Sequence, residues 1–171
     1  MRAGGRGGAD INRGEAPDSI SLLSLLRDPS AKPRRTSMIL QATRAMAISA
    51  GKWKLAFCPG SGCPGGWGNS PKSIDAWKKA IADYGKKPRN RAELMRAPFV
   101  QLFDLDQDPG ETTNLAKKHP EKVVELAALT KKQIAAGRTT PGSQLKNDRN
   151  NIKLFPAVPP FIWAKPPAKK K

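Results

Sequence analysis

Apolar positions along this chain change period several times, and each change marks an element. Ile20, Leu22, Leu23, Leu25 and Leu26 follow Asp18, the spacing of a short amphipathic helix with Asp18 as its N-cap. Pro29 stops that helix, and Lys32-Pro33-Arg34-Arg35 reads as an exposed connector. Residues 37–42 and 45–50 are two short strand-like runs separated by Thr43-Arg44, the spacing of a tight hairpin, with Met46 and Ile48 sharing a face. Within 52–58, Trp53, Leu55 and Phe57 alternate with Lys54 and Ala56. That is the period-two signature of a strand with one buried face.

A glycine-rich loop follows over 59–71, and Ile74, Trp77 and Ile81 predict a helix over 73–84. Residues 85–97 are basic and weakly patterned, a loop with room for one more turn. The stretch 99–105 is the clearest strand. Phe99, Phe103 and Leu105 fall on one face and Val100 and Leu102 on the other, which calls for a central position or cover on both sides. Asp108-Pro109-Gly110-Glu111 carries Pro second and Gly third, the type II turn preference.

A long helix is expected over 120–136. Pro120 suits its first position, Glu121 the positive end of its dipole, and Val123, Leu126, Ala127, Thr130 and Ile134 its apolar stripe. Gly137 fits the left-handed position after its end. The resulting expectation is an α+β fold: an antiparallel sheet of about four strands (37–42, 45–50, 52–58, 99–105) packed by the helix 120–136. Residues 1–17 read as a disordered lead-in, 18–142 as the folded subdomain, and 143–171 as an extended basic, proline-rich tail with Phe155, Phe161 and Trp163 as isolated anchors.

Charge changes the picture more than length does. The 171 residues carry 31 Lys+Arg against 14 Asp+Glu, a formal net charge of +17. Such a balance attracts polyanions at long range, whether nucleic acid, anionic lipid or sulfated polysaccharide. The cations are scattered, however, and no zinc-finger, homeodomain or RNP-type pattern gathers them. No apolar run is long enough to span a bilayer, and Met1-Arg2-Ala3-Gly4-Gly5-Arg6 is not followed by a signal-peptide core. Cys58, Cys63 and His119 are the only Cys and His residues, too few for a structural zinc site; a Cys58–Cys63 bridge across the glycine loop stays open.

Three motifs invite chemistry and fail on inspection. Gly60-Ser61-Gly62-Cys63-Pro64-Gly65 matches G-x-G-x-x-G, but Gly65-Gly66-Trp67-Gly68 cannot open the helix that a pyrophosphate site needs. Asp104, Asp106 and Asp108 begin like a calcium loop, but Pro109 and Leu115 stand where Gly and Glu are required. His119 precedes Pro120 at a helix start, a capping or surface position without a nucleophile context.

The order of motifs nevertheless resembles one family. The turn Asp106-Gln107-Asp108-Pro109-Gly110-Glu111, the segment Thr112-Thr113-Asn114-Leu115, the helix opening His119-Pro120-Glu121 and the stop Gly137-Arg138-Thr139-Thr140-Pro141-Gly142 resemble the C-terminal subdomain of formylglycine-dependent sulfatases of bacterial arylsulfatase type. Gly14-Glu15-Ala16-Pro17-Asp18-Ser19, Gly51-Lys52-Trp53-Lys54-Leu55, Cys58-Pro59-Gly60-Ser61-Gly62 and Lys146-Asn147-Asp148 extend the likeness across 14–148. Ile39-Leu40-Gln41 departs from it, standing where relatives often carry a pair of histidines.

The resemblance implies a small antiparallel sheet with one long helix, docked on a larger α/β domain. That larger domain would hold calcium and the formylglycine made from a C/S-x-P-x-R motif, which this sequence lacks. The expected partner is therefore a sulfatase catalytic domain, with a sulfated substrate met only in that context and no cofactor or metal held by this chain. Neither a membrane nor nucleic acid is an expected partner. Gly60, Ser61 and Gly62 are the candidate substrate-wall residues, because glycine backbone can approach a sulfate or sugar hydroxyl closely. No catalytic residue is expected. The alternative is a stand-alone basic protein that binds nucleic acid or another polyanion, and it rests on charge alone.

Overall fold

The computed structural model describes residues 18–32, 35–42, 45–60, 71–156 and 158–164. The expected lead-in 1–17 and the last residues of the tail lie outside that set. In chain order the elements are α1 (Leu23–Arg27), β1 (Ser37–Ala42), β2 (Ala45–Ala50), β3 (Trp53–Ala56), α2 (Pro71–Tyr84), β4 (Gln101–Asp104) and α3 (Pro120–Ala136), with 3-10 turns at Glu93–Met95 and Pro160–Ile162. The class is α+β, as the patterning predicts.

The four strands form an antiparallel meander in the order β1-β2-β3-β4. Ala50 pairs with Trp53 across Gly51-Lys52, and Gly51 takes φ +55 at the first turn position, where tight hairpins favour glycine. Two strands are shorter than expected. Phe57 still donates its N–H to the Met46 carbonyl, at 2.8 Å, but Pro59 then has no N–H to offer and the chain leaves the sheet. At the start of β4, the Phe99 N–H closes a turn onto the Arg96 carbonyl, at 2.9 Å, so the ladder begins only at Gln101. β4 is also an edge strand, not a central one. Its two apolar faces are both buried, since Leu102 and Phe103 are each inside.

Register explains where the core sits. Ile39, Ile48, Leu55 and Leu102 form one row across the sheet, and Ser37 shares their face. α3 covers this face: Val123, Leu126, Ala127 and Thr130 are buried, and the Gln133 side-chain amide donates to the Ser37 hydroxyl at 2.6 Å. The Thr130 hydroxyl is satisfied within the helix by the Leu126 carbonyl, at 2.7 Å. α2 starts two residues earlier than predicted because Pro71 fits a first helical turn. It buries Trp77 against Phe99, ring centroids 6.2 Å apart, while Tyr84 meets Phe99 edge-on at 5.1 Å.

The opposite face is covered only in part. Ala56 and Phe103 are buried there, but Met38 is 41% exposed and Leu40, Ala45 and Ala47 are half-buried. α1 buries no residue at all, and Leu22 and Leu26 are 61% and 80% exposed.

Asp18 does not cap α1. The helix begins at Leu23 with Leu22 before it. The Asp18 carboxylate instead accepts the Thr139 N–H at 2.7 Å and the Thr139 hydroxyl at 3.2 Å, and Arg35 donates to the Asp18 carbonyl and to the Thr139 hydroxyl. A long-range tie has outcompeted a local cap. Beyond α3 the described residues form only the 3-10 turn at Pro160–Ile162, yet Phe155 and Ile162 belong to the main core, so Phe155 is not an isolated anchor. Phe161, expected to anchor, is the more exposed neighbour.

The end of α3 is closed with care. Gly137 takes φ +66, and its N–H meets the carbonyls of Gln133 and Ile134. The Leu145 N–H then reaches the Ala136 carbonyl at 2.9 Å, the Gln144 amide reaches Ala135 at 3.0 Å, and the Asn147 amide reaches Ile134 at 2.6 Å. All four final carbonyls, which a helix leaves without internal partners, are thereby satisfied.

Glycine substitutions separate two effects here. A Cβ at Gly137 would stand 2.3 Å from the Leu145 carbonyl oxygen, whereas one at Gly51 meets nothing within 4 Å. Both have positive φ; Gly110 does not. Gly51→Ala should therefore cost about 1 kcal/mol, Gly137→Ala more than about 2 kcal/mol, and Gly110→Ala within about 0.5 kcal/mol in urea unfolding. Equal losses at 51 and 137 would mean that the Leu145 segment yields freely.

Candidate functional site

The sequence-derived candidates sit where β3 leaves the sheet. Leu55, Ala56, Phe57 and Cys58 are buried in succession, and Phe57 meets Phe155 edge-on with centroids 5.8 Å apart. Gly60 is half-buried at the top of this packed stem. Ser61 and Gly62 lie outside the described residues, as does Cys63. The stem under the loop is thus rigid and apolar, and Gly60 is the candidate whose place is described.

The polar chemistry of the fold concentrates elsewhere, in the turn after β4. Lys52 donates to Asp104 at 2.6 Å, and this contact holds the Asp104 carboxyl below, and the Lys52 ammonium above, their ordinary ranges. Lys54 pairs with Glu111. Asp108 accepts the N–H groups of Thr112 and Thr113, at 2.8 and 2.7 Å, and the Thr112 hydroxyl at 3.0 Å. Those backbone donors, Thr112 first, hold its carboxyl low as well.

The turn is not type II. The left-handed residue is Glu111, at φ +55, and Gly110 has no positive φ. The bond from the Glu111 N–H to the Asp108 carbonyl, at 3.1 Å, closes the turn, and the left-handed step at Glu111 leads into the Thr112 and Thr113 bonds.

Asn114, given no role by sequence patterning, is the organising residue. Its side-chain oxygen accepts the N–H groups of Leu102 and Ala116, both at 3.0 Å, and its amide donates to the Val100 carbonyl at 3.0 Å. Next to it, the Leu115 N–H donates to the Leu102 carbonyl at 2.8 Å. The signal that would have found it is an Asn directly after a predicted strand and turn, able to mimic a backbone edge.

None of these groups is arranged to hold a cation. Asp104 and Asp108 spend their oxygens on Lys52 and on N–H donors, so their set does not fit calcium. Among the described residues no three His, Cys, Asp or Glu side chains gather. His119 stands at the N-cap of α3 without a side-chain capping bond; its ring is 3.2 Å from Glu121 and 5.5 Å from the Trp53 ring. No helix among the described residues is long and apolar enough to cross a membrane.

The described residues thus form a four-stranded meander with α3 on one face and a structural acidic turn after β4. Its relatives are sulfatases. The chain is 32% identical over 114 residues to the N-acetylgalactosamine-6-O-sulfatase of Bacteroides thetaiotaomicron, a match covering 67% of this chain and 18% of that enzyme. The chain thus spans less than a fifth of the length of the curated relative it matches. A solved 6S-sulfatase structure, from work on the metabolism of multiple glycosaminoglycans by Bacteroides thetaiotaomicron, overlays with a TM-score of 0.43 at 24% identity, covering 72% of this chain and 21% of that one. No protein-family model matches the chain.

Two measurements probe the acidic turn. Asn114→Ala removes three hydrogen bonds at a half-exposed edge and should cost about 1–2 kcal/mol in urea unfolding. The pH dependence has a definite sign. Asp104 and Asp108 are lowered, so their contribution is complete above the ordinary aspartate pKa of about 3.9 and disappears as pH falls through the lowered values. Lys52 is raised, so the contribution seen from its side is complete below about 10.4 and disappears as pH rises beyond that. Asp108→Asn should lower Tm at pH 7 and flatten the acid limb, its Tm meeting that of the unmodified chain at low pH. An unchanged acid limb would remove Asp108 from this role.

Proposed function

We propose that this chain forms the C-terminal subdomain of a formylglycine-dependent sulfatase, covering the catalytic domain and shaping one wall of its substrate cleft. The observation that carries this is the 32% match to a sulfatase over 114 residues. The fold agrees with a docking role. One sheet face is filled by α3, while the other leaves Met38, Leu40, Ala45 and Ala47 wholly or partly uncovered. The catalytic domain is the occupant this reading assigns to that face, and calcium and formylglycine would belong to that domain. The glycine loop beginning at Gly60 is the part assigned to the cleft wall, and the sulfated substrate is engaged only when both domains are present. Nothing beyond net charge favours a stand-alone nucleic-acid binder.

Pure chain should show no turnover of an aryl sulfate, and the reading frame upstream should encode a C/S-x-P-x-R motif. Turnover by the isolated chain would overturn the reading. The exposed apolar side chains have their own signature: Met38→Lys on the uncovered sheet face and Leu26→Lys on α1 should each change unfolding free energy by less than about 0.5 kcal/mol. They should also reduce binding of an apolar dye and self-association. Dye binding that is already absent in the unmodified chain would remove the docking face.

A further inference from the structure

A cavity of about 920 Å3 opens between residues 91–95, the C-terminal half of α3 and the segment 144–155. Its volume falls in the range that takes a small ligand, about 300–1,000 Å3. Arg91, Lys131, Lys146, Arg149 and Lys153 line it, and neither Asp nor Glu does. Among the described residues Lys131, Lys146, Arg149 and Lys153 form no ion pair. Arg91 donates to the Phe155 carbonyl at 3.4 Å, which ties one wall to the floor.

This concentration of charge is not simply the complement of a helix dipole. Lys146 does lie near the negative end of α3, but Lys131 stands more than a turn before it. Its last carbonyls, however, are already met by N–H groups of Gly137, Gln144, Leu145 and Asn147. Arg91, Arg149 and Lys153 come from other parts of the chain and converge on the same space. The wall that carries Lys146 is fixed, because segment 144–147 is bonded to the helix end at three points.

We propose that this cavity binds a sulfated saccharide. Cationic side chains around the lining suit sulfate groups, which bear permanent charge at every physiological pH. Ile134 and buried Phe155 supply an apolar floor for the C–H face of a sugar ring, and the Asn150 and Asn151 amides suit ring hydroxyls. A nucleic-acid duplex presents its phosphates on a convex rod and cannot enter a concave site of this size. The choice of sulfate as the anion rests on the sulfatase reading; the site itself rests on its charge and shape.

The test is titration calorimetry of the full chain, in 150 mM salt, with a heparin tetrasaccharide, its desulfated counterpart, sodium sulfate and a short DNA duplex. The sulfated saccharide should bind at least about tenfold more tightly than each of the others. Removing Lys131, Lys146 and Lys153 together (each →Ala) should weaken it at least about tenfold, whereas the equal charge removal at Lys72, Lys117 and Lys118 should weaken it less than about threefold. Ala135→Trp, which fills the cavity without changing charge, should also weaken it about tenfold, with circular dichroism confirming the fold of each variant. Equal losses from the two triple variants, no effect of Ala135→Trp, or a duplex bound as tightly as the saccharide would overturn the site. If the upstream frame lacks C/S-x-P-x-R while this binding persists, the sulfatase reading falls and the cavity stands. If the motif is present and no form of the chain binds, the reverse holds.

Discussion

The outer edge of β4 is the constraint on which the rest of the module depends. An edge strand presents unpaired N–H and C=O groups, and burying it demands a partner for each. Asn114 supplies partners for the Val100 carbonyl and the Leu102 N–H, and Leu115 for the Leu102 carbonyl. Gln107 and Asp108 supply them for the Asp104 carbonyl, at 3.2 and 2.7 Å. A turn and one side chain thus do the work of a fifth strand. Because that substitute is so short, the chain is at once free to start α3 on the inner face. The acidic residues that begin like a calcium loop in the sequence are fasteners of this arrangement.

The two faces of the sheet then meet different fates. The inner face carries large branched residues in a single row, Ile39, Ile48, Leu55 and Leu102, and α3 fills it. The outer face pairs small residues on β2 with Met38 and Leu40 on β1, a surface that a second layer can approach closely. An asymmetric sheet of this kind leaves room for a second layer on its outer face. The cationic cavity lies on neither face. It is built where the exit of α3 is folded back on itself, and its rigidity follows from the same carbonyl capping that ends the helix.

Most elements could be read directly from periodicity, because β2 and α3 are bounded by chemistry that acts locally: Gly51, Pro120 and Gly137. Failures came where distant partners won. Asp18 has the local credentials of a cap, but the Thr139 backbone, more than a hundred residues away, holds it. β4 has the composition of a central strand, and its burial on both faces is real, yet its edge is closed by a side chain that no strand pattern reveals. Glu111 takes the left-handed turn position that Gly110 seemed made for, since closure of the turn is followed by two further bonds to Asp108. The five cavity cations are invisible to motif reading because they come from three separate stretches of an evenly basic chain. Of the candidate wall residues, Gly60 is the one among the described residues, above a stem of Phe57 and Phe155.

The tie between Asp18 and Thr139 also has a mechanical meaning. The chain comes in at residue 18 and is clamped there to the turn that follows α3, with Arg35 gripping both strands of the clamp. A pull transmitted through the polypeptide from upstream would load this cluster first, and only afterwards the ladder between β1 and β2. The clamp would give way as a fuse does, leaving the meander intact beneath it.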